Sequence, residues 1–272
     1  MFPRKPSSSK KPSLRNKLNT PGTLWIASDI HLSDAHPETR RAFLSFLDKA
    51  SSQADALFLC GDIFDVWIGD DLAIEDPPPW LAEIVQALRR TASRMPLWLG
   101  RGNRDFLMGE ALAAHIGARL LPDAVILATD AGDVLLTHGD QYCTDDASYQ
   151  RFRKLVRCRA IQWLFMQLSL SARRGIADWA RKRSMASNTF KSQYVMDVNQ
   201  DAVIQAFRRS GVSQMVHGHT HRPAVHIVEV DGRRCLRHVL PDWEPCAEPM
   251  RGGWLRIDGN GLHAVSLADG AL

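Results

Sequence analysis

Short apolar runs that end in polar, glycine-rich breaks recur along the chain, separated by stripes of helical period. Residues 23–28 (Thr-Leu-Trp-Ile-Ala-Ser) read as a buried strand that stops at Asp29-Ile30-His31. Pro37 then opens an amphipathic helix with Ala42, Phe43, Phe46 and Leu47 at helical spacing. Residues 56–60 (Ala-Leu-Phe-Leu-Cys) give a second buried strand, closed by Gly61-Asp62, so the first unit is β-α-β. The pattern repeats: Pro77-Pro78-Pro79 precedes a helix striped by Leu81, Ile84, Val85 and Leu88, and the strand 96–99 runs into Gly100-Arg101-Gly102-Asn103-Arg104-Asp105. A short helix near 110–115 follows. Strands at 125–129 and 134–137 are joined by Asp130-Ala131-Gly132-Asp133, a hairpin signal that marks a change from parallel to antiparallel pairing.

From about Cys143 to Asn199 the character changes. Tyr149, Phe152, Leu155, Val156 and the dense run 161–168 sit among arginines, and Ile176, Ala177 and Trp179 form another helical face. Such a stretch is too long for a structureless loop and predicts a helical insertion over the core. The sheet resumes at 213–216, before Gly218-His219-Thr220-His221. Strands at 225–230 and 234–240 flank an Asp231-Gly232 turn, and 254–257 and 262–267 close the domain. The expected organisation is a disordered basic leader over 1–20, a core built from 21–142 and 200–270, and a helical lid insertion over 143–199.

The 272 residues are 45% hydrophobic and 24% charged, the ordinary range of globular proteins, and a single α/β domain is the starting expectation. No run approaches ~18 uninterrupted apolar residues, and residues 1–20 lack the apolar core of a signal peptide. Five cysteines without a CxxC pair favour a reducing compartment and exclude a zinc knuckle. The net charge of +4 is uneven: six Lys/Arg and no acid fall in residues 1–20, and eleven Lys/Arg face one Asp across 151–191. The remaining body is acidic. Carboxylates gathered around divalent cations, with a basic segment for an anionic substrate, fit that split, although charge alone fits two solvated basic stretches equally well.

The chemistry lies in the breaks. Asp29 and His31 stand two apart, which in extended chain sends both side chains to one side. Asp62 follows a strand apolar on both faces, where a carboxylate is costly unless hydrogen-bonded, solvated or bound to a cation. Asn103 can ligate through its amide oxygen without adding charge. His138 is the first ligand-type side chain after its strand, and His217 and His219 again stand two apart. These seven candidate ligands, Asp29, His31, Asp62, Asn103, His138, His217 and His219, come from five strand ends, the rim where open α/β sheets place their sites. Two ions ~3.5–4 Å apart need a shared carboxylate, for which Asp62 is the choice. The expected sets are Asp29, His31, Asp62 and His219 for one ion, and Asp62, Asn103, His138 and His217 for the other. Donors of this kind without cysteine suit Mn, Fe, Zn or Co. His221 is expected to orient a ligand, while His36, His115, His226, His238 and His263 fit no cluster.

Asp29-x-His31, Gly61-Asp62, Gly102-Asn103-Arg104, His138-Gly139-Asp140 and Gly218-His219-Thr220-His221 together resemble the calcineurin-like metallophosphoesterase signature. Longer stretches, including Gly61–Asp70, Gly102–Leu107, Cys143–Asp146, Met196–Gln200 and His217–Pro223, resemble the UDP-2,3-diacylglucosamine diphosphatases of bacterial lipid A synthesis. The likeness runs from about Thr23 to Ile257. It implies a four-layer αββα sandwich with a helical lid and a pair of Mn²⁺ ions. It further implies water attack on the α-phosphorus of UDP-2,3-diacylglucosamine, yielding UMP and 2,3-diacylglucosamine 1-phosphate (lipid X). A cytoplasmic enzyme peripheral to the anionic inner-membrane surface is implied too. By the same resemblance Asp62, Asn103, Arg104, His138 and His217 carry catalysis, and Asn103, Arg104, Asp146, Tyr149, Ser184, Asn188, Lys191 and His217 contact substrate. Asn188 stands where that family leads one to expect a lysine, and the segment Pro241–Trp254 is longer and more Pro-rich. Trp163, Leu164, Phe165, Met166 and Leu168 either wall an acyl trough or close the insertion's own core.

Other readings remain. A nuclease or nucleotide phosphatase of the same superfamily should show a long basic groove with exposed aromatics. A non-catalytic metal-stabilised scaffold would tolerate gaps in the ligand set, and no reading motif for nucleic acid accompanies the basic leader. Oligomeric state is left open by the sequence.

Overall fold

The computed structural model describes residues 16–188 and 197–269, and of 183–188 the backbone alone. In chain order the first elements are β1 (Lys17–Asn19), β2 (Leu24–Ala27), α1 (Pro37–Gln53), β3 (Ala56–Cys60), α2 (Asp71–Ile74), α3 (Pro79–Ala92), β4 (Leu97–Gly100), α4 (Glu110–Ile116) and β5 (Arg119–Leu120). Then come β6 (Ala124–Thr129), β7 (Gly132–Thr137), α5 (Ala147–Val156), α6 (Arg159–Met166), α7 (Leu170–Asn188), α8 (Gln200–Ser210) and β8 (Gln214–His217). β9 (Ala224–Val230), β10 (Arg233–Val239), β11 (Gly253–Asp258) and β12 (Gly261–Ser266) complete the described chain.

Two six-stranded sheets result, ordered β12-β11-β2-β3-β4-β5 and β1-β6-β7-β8-β10-β9. In the first, β2 to β5 are parallel and β11 and β12 join antiparallel. In the second, the β6–β7 and β9–β10 hairpins are antiparallel while β7, β8 and β10 pair in parallel.

Strand alternation sorts the apolar side chains into layers. Trp25, Ala27, Leu57 and Leu59 face α1, α3 and α4, whereas Leu24, Ile26, Phe58 and Cys60 face the other sheet. There they meet Val125, Leu127, Val134, Leu136 and Val216. On the far side Ile126, Leu135 and Met215 pack against Val203, Ala206 and Phe207 of α8. The chain is therefore the four-layer αββα sandwich, and the continuously apolar strands of the sequence are those buried on both faces. Each fully buried Leu, Ile or Phe is worth roughly 1.5–3 kcal/mol, so the inter-sheet layer locks the two sets of strand ends to one another.

Residues 17–20, expected within a disordered basic leader, belong instead to the folded core. Lys17–Asn19 pair in parallel with β6, Leu18 packs on the inter-sheet core, and Thr20 is buried. A three-residue edge strand with one apolar side chain lies below what hydrophobic pattern can register. Residues 1–15 lie outside the described residues.

The insertion forms α5, α6 and α7. No described side chain of α5 or α6 is buried, and Trp163 and Trp179 are 63% and 61% exposed. The apolar run therefore does not close a core of its own. Arginines dock the insertion instead. Arg153 donates to Asp140 at 2.7 Å and to Asp123 at 3.1 Å, and Arg157 donates to Asp123 at 2.8 Å. On α7, Arg173 pairs with Asp71 and Arg181 with Asp65. Asn199 brings the end of the insertion back to its start, its N–H donating to the Tyr142 carbonyl and its amide to Asp145, both at 2.8 Å.

Candidate metal centre

The C-terminal ends of β2, β3, β4, β7 and β8 carry the polar breaks, and the sandwich brings them to one rim. Asp29, Asp62, His138 and His217 are buried there. Two groups of donors converge within 4.8 Å: Asp29, His31 and His221, and Asp29, Asp62 and His138. Asn103 joins the second, its Oδ1 lying 3.2 Å from His138 Nε2 and 2.8 Å from His219 Nδ1.

The convergence is made by turns rather than by strand alternation. Asp29, His31, Asp62, His219 and His221 all have φ between 52° and 68°, and they are five of the six described non-glycine residues in the left-handed region. That conformation costs roughly 1–3 kcal/mol per residue and collects at functional sites. Hydrogen bonds hold the reversals: Ile30 and His31 donate to the Asp62 carbonyl at 2.9 and 3.0 Å, and His219 N–H donates to the Asp29 carboxylate at 2.9 and 3.1 Å. Close approach needs glycine at two points, since a Cβ on Gly218 would overlap Asp29 and one on Gly102 would overlap Asp62.

One assignment from the sequence changes. His217 does not face the donors: its Nδ1 donates to the Gly218 carbonyl at 2.8 Å, and its Nε2 accepts from Arg237 at 3.0 Å. With both nitrogens engaged and a guanidinium at the lone pair, it has nothing to offer a cation. His221, expected to orient a ligand, is itself one of the converging donors: its Nε2 lies 3.3 Å from His31 Nε2 and 3.4 Å from Asp29 Oδ1. Where the sequence reading paired His217 with His219, the geometry brings His219 and His221 to the converging donors. The extended-chain spacing rule failed because β8 ends at His217 and the backbone turns over immediately after it.

Electrostatics test whether these residues suit cations. His138 Nδ1 donates to the Cys60 carbonyl at 3.1 Å, which turns the Nε2 lone pair of the neutral ring toward Asn103 Oδ1 and Asp62 Oδ1, the latter 3.7 Å away. Lone pair against oxygen is repulsive unless a proton or cation lies between them. Burial works to lower the His138 pKa, yet the charges of Asp62, Asp29 and Asp140 outweigh it and raise it. Burial, followed by the nearby Asp29 charge and against the pull of His138, pushes Asp62 up to about 6. Burial alone would raise Asp29, but the hydrogen bond to His221 and the charges of His138, His221 and His31 hold it well below the usual carboxylate range. Burial lowers His31 and His219 to about 4, which keeps both rings neutral and able to coordinate. A cation ~2.1 Å from two nitrogens or oxygens holds them roughly 3–3.4 Å apart, the spacing seen between His31, His221 and Asp29. Burial pushes the Cys60 thiol up, so it offers no competing thiolate. The donor set fits a pair of hard or borderline divalent ions.

A model of the calcineurin-like phosphoesterases matches residues 22–223, which spans all five breaks. The chain belongs to that family. Among curated relatives of this phosphoesterase, a UDP-2,3-diacylglucosamine hydrolase of Bordetella parapertussis is 53% identical over 93% of this chain and 98% of its own. Proteins of the same name from Edwardsiella ictaluri (43% identical; 90% and 92% covered) and Pseudomonas paraeruginosa (43%; 88% and 96%) match over similar lengths. An alignment of 256 residues in a chain of 272 takes in most of the helical insertion, so the likeness is not confined to the core that carries the candidate ligands.

Apart from His217, which is buried with its Nε2 held by Arg237, the substrate residues anticipated in the sequence fall in three places. Asn103 and Arg104 lie at the metal centre, with Arg104 N–H donating to Asp62 Oδ1 at 2.8 Å. Tyr149 of α5 stacks on His219 with centroids 6.0 Å apart and donates to Asp140 at 2.8 Å, while Asp146 caps α5 by accepting from Tyr149 N–H at 3.0 Å. Ser184 and Asn188 lie on the last turns of α7, where the backbone alone is described, and Lys191 lies outside the described residues. Three contributors escaped the sequence reading. Asp242, in the Pro-rich C-terminal segment, places Oδ2 3.5 Å from His221 Nδ1, and the neighbouring Trp243 N–H donates to the Asp29 carbonyl at 3.1 Å. Asp105 is buried behind the Asn103 loop. Its only sequence signal was a carboxylate beside a glycine-rich turn.

Proposed function

We propose that this chain hydrolyses the phosphoanhydride of UDP-2,3-diacylglucosamine, giving UMP and 2,3-diacylglucosamine 1-phosphate, a step of lipid A biosynthesis. The observation that carries the reading is a donor set for two ions beside an insertion whose apolar side chains are exposed, in a chain matched over 93% of its length by a relative named UDP-2,3-diacylglucosamine hydrolase. Asp29, His31, Asp62 and His221 would hold one ion, and Asp62, Asn103, His138 and His219 the other, with Asp62 shared. Oxygen and neutral imidazole donors are compatible with Mn²⁺ at both sites, and the family resemblance is what favours it. When bound, such a pair supplies activation of water and neutralisation of phosphoryl charge.

The protein groups orient the rest. Arg104, next to Asn103, would neutralise the charge that develops on the phosphoryl oxygens. Water attacks the α-phosphorus, a new P–O bond forms, and the anhydride P–O bond breaks toward the lipid phosphate. A sugar 1-phosphate leaves far more readily than an alkoxide, so no strong general acid is required. Tyr149 and Asp146 contribute from α5, and Ser184, Asn188 and Lys191 from the far end of the insertion are assigned by the family resemblance.

The exposed Phe152, Leu155, Trp163, Leu164, Leu168 and Trp179 take the acyl chains or rest on the inner-membrane surface, with arginines meeting phosphate headgroups. Among the described residues no helix is long and apolar enough to cross a membrane. The decisive assay incubates purified protein with UDP-2,3-diacylglucosamine with and without Mn²⁺ and follows UMP and lipid X. Failure to release UMP, alongside efficient phosphate release from mononucleotides, would replace this reading by a nucleotide phosphatase.

A further inference from the structure

Asp105 lies two residues beyond Asn103, is fully buried, and belongs to neither group of converging donors. Its carboxylate accepts four buried backbone N–H groups. Oδ1 takes Gly102 at 2.7 Å and Asp62 at 3.2 Å, and Oδ2 takes Ile63 at 2.7 Å and Phe64 at 3.4 Å. Three of these donors sit in the turn after β3 and one in the loop after β4. The ladder between those strands stops at the Cys60 and Gly100 pair, so nothing regular connects the two loops beyond it. Asp62 returns the link by accepting from Arg104 N–H.

We infer that Asp105 is the positioning residue that fixes the separation between Asp62 and Asn103, and with it the capacity to hold both members of a divalent pair. Asp62 and Asn103 come from different strands, and a shift of either loop changes how far apart two ions would sit. A carboxylate can accept at both oxygens, so one side chain serves both loops. An amide cannot: it would point an NH₂ group at N–H donors on one side. Gly102 allows the close approach, and Asp105 supplies the acceptors that keep the approaching N–H groups paired. The inference rests on the metal centre and is independent of which phosphate ester is cleaved.

The test compares the full-length chain with D105N by three measurements. Hydrogen exchange of the metal-free proteins should show Gly102, Asp62 and Ile63 exchanging at least about 10-fold faster in D105N, while Leu57–Leu59 and Leu97–Leu99 keep their rates. Titration with Mn²⁺ should give affinity weakened about 10–100-fold for at least one ion. The electron paramagnetic resonance signal of a coupled Mn²⁺ pair in the parent should give way to that of isolated ions. Local exchange unchanged in D105N, or a coupled pair bound with parental affinity, would overturn the role. So would a uniform rise in exchange across all strands, which marks general destabilisation. Should D105N fail to fold, D105E keeps the charge and both oxygens but lengthens the arm, and a parental coupled pair in D105E would overturn the role in the same way. A parent protein that takes up no Mn²⁺ would refute the metal centre and this inference with it.

Discussion

The Arg237 guanidinium donates to Nε2 of His217 across 3.0 Å, and this contact separates His217 from the two histidines that follow it in the motif. The neighbouring Nδ1 is committed to the Gly218 carbonyl. His221, four residues on, presents Nε2 to His31 and Asp29.

Metal affinity should therefore divide the histidines. His221→Gln and His219→Gln are each expected to weaken Mn²⁺ binding about 10–100-fold or more and to reduce turnover in proportion, a range typical even of outer-shell losses. His217→Gln keeps an acceptor for Arg237 and should bind Mn²⁺ within a few-fold of the parent. Calorimetric titration decides, and equal losses in all three variants would return His217 to the ligand set.

The same residue gives a pH prediction. Burial, and then the positive charge of Arg237, lower His217 from 6.5 to about 3, so in the folded protein it stays neutral while the unfolded chain takes up a proton. The unfolded state binds more protons between those two values, and stability contributed by the neutral ring, complete above pH 6.5, is lost progressively as pH falls toward 3. Melting temperatures of the parent should fall faster than those of His217→Gln across that window. Parallel curves would refute it.

Asp71 and Arg173 tie α7 to the core. Arg173 is buried, donates to the Ile68 carbonyl at 2.8 Å and to Asp71 Oδ1 at 2.9 Å, and holds the Asp71 carboxyl below its ordinary value through that hydrogen bond. The pair stabilises the docked insertion above the ordinary carboxylate pKa, and the contribution is lost as pH falls through the lowered one. Asp71→Asn should speed proteolytic cleavage within the insertion at neutral pH, and the difference from the parent should shrink at acid pH. Cleavage indifferent to the substitution would mean that α7 is held elsewhere.

Loss of Asp62 removes the carboxylate that both proposed sites use. Asp62→Ala is expected to lower turnover by several orders of magnitude and to leave fewer than two ions bound, measured by metal analysis of the dialysed protein. Near-parental activity with two bound ions would refute the assignment.

Trp163 is exposed on α6 and has no packing role in the core. Trp163→Ala together with Leu164→Ala should lower kcat/KM for the diacylated substrate on the order of 10-fold or more and leave unacylated UDP-glucosamine, a poor substrate throughout, unchanged. Equal effects on both would remove the apolar insertion from substrate recognition.

Much of this protein is legible as a string of letters. Strands such as Ala56–Cys60 announce burial on both faces, the Asp130–Asp133 and Asp231-Gly232 turns announce hairpins, and the breaks at Asp29, Asp62, Asn103 and His138 announce where ligand-type residues stand. Those features depend on local composition and period, which a sequence states directly. Three matters were decided only by tertiary structure. The choice of His219 and His221 over His217 follows from a backbone that turns left-handed after β8, beside an arginine supplied by β10. The exposure of the insertion's apolar run depends on what packs against it, which no periodicity specifies. The clamp at Asp105 joins N–H groups from two loops some forty residues apart in the chain. Residue type fixes what a side chain can do, whereas its partners are set by strands that meet across the fold.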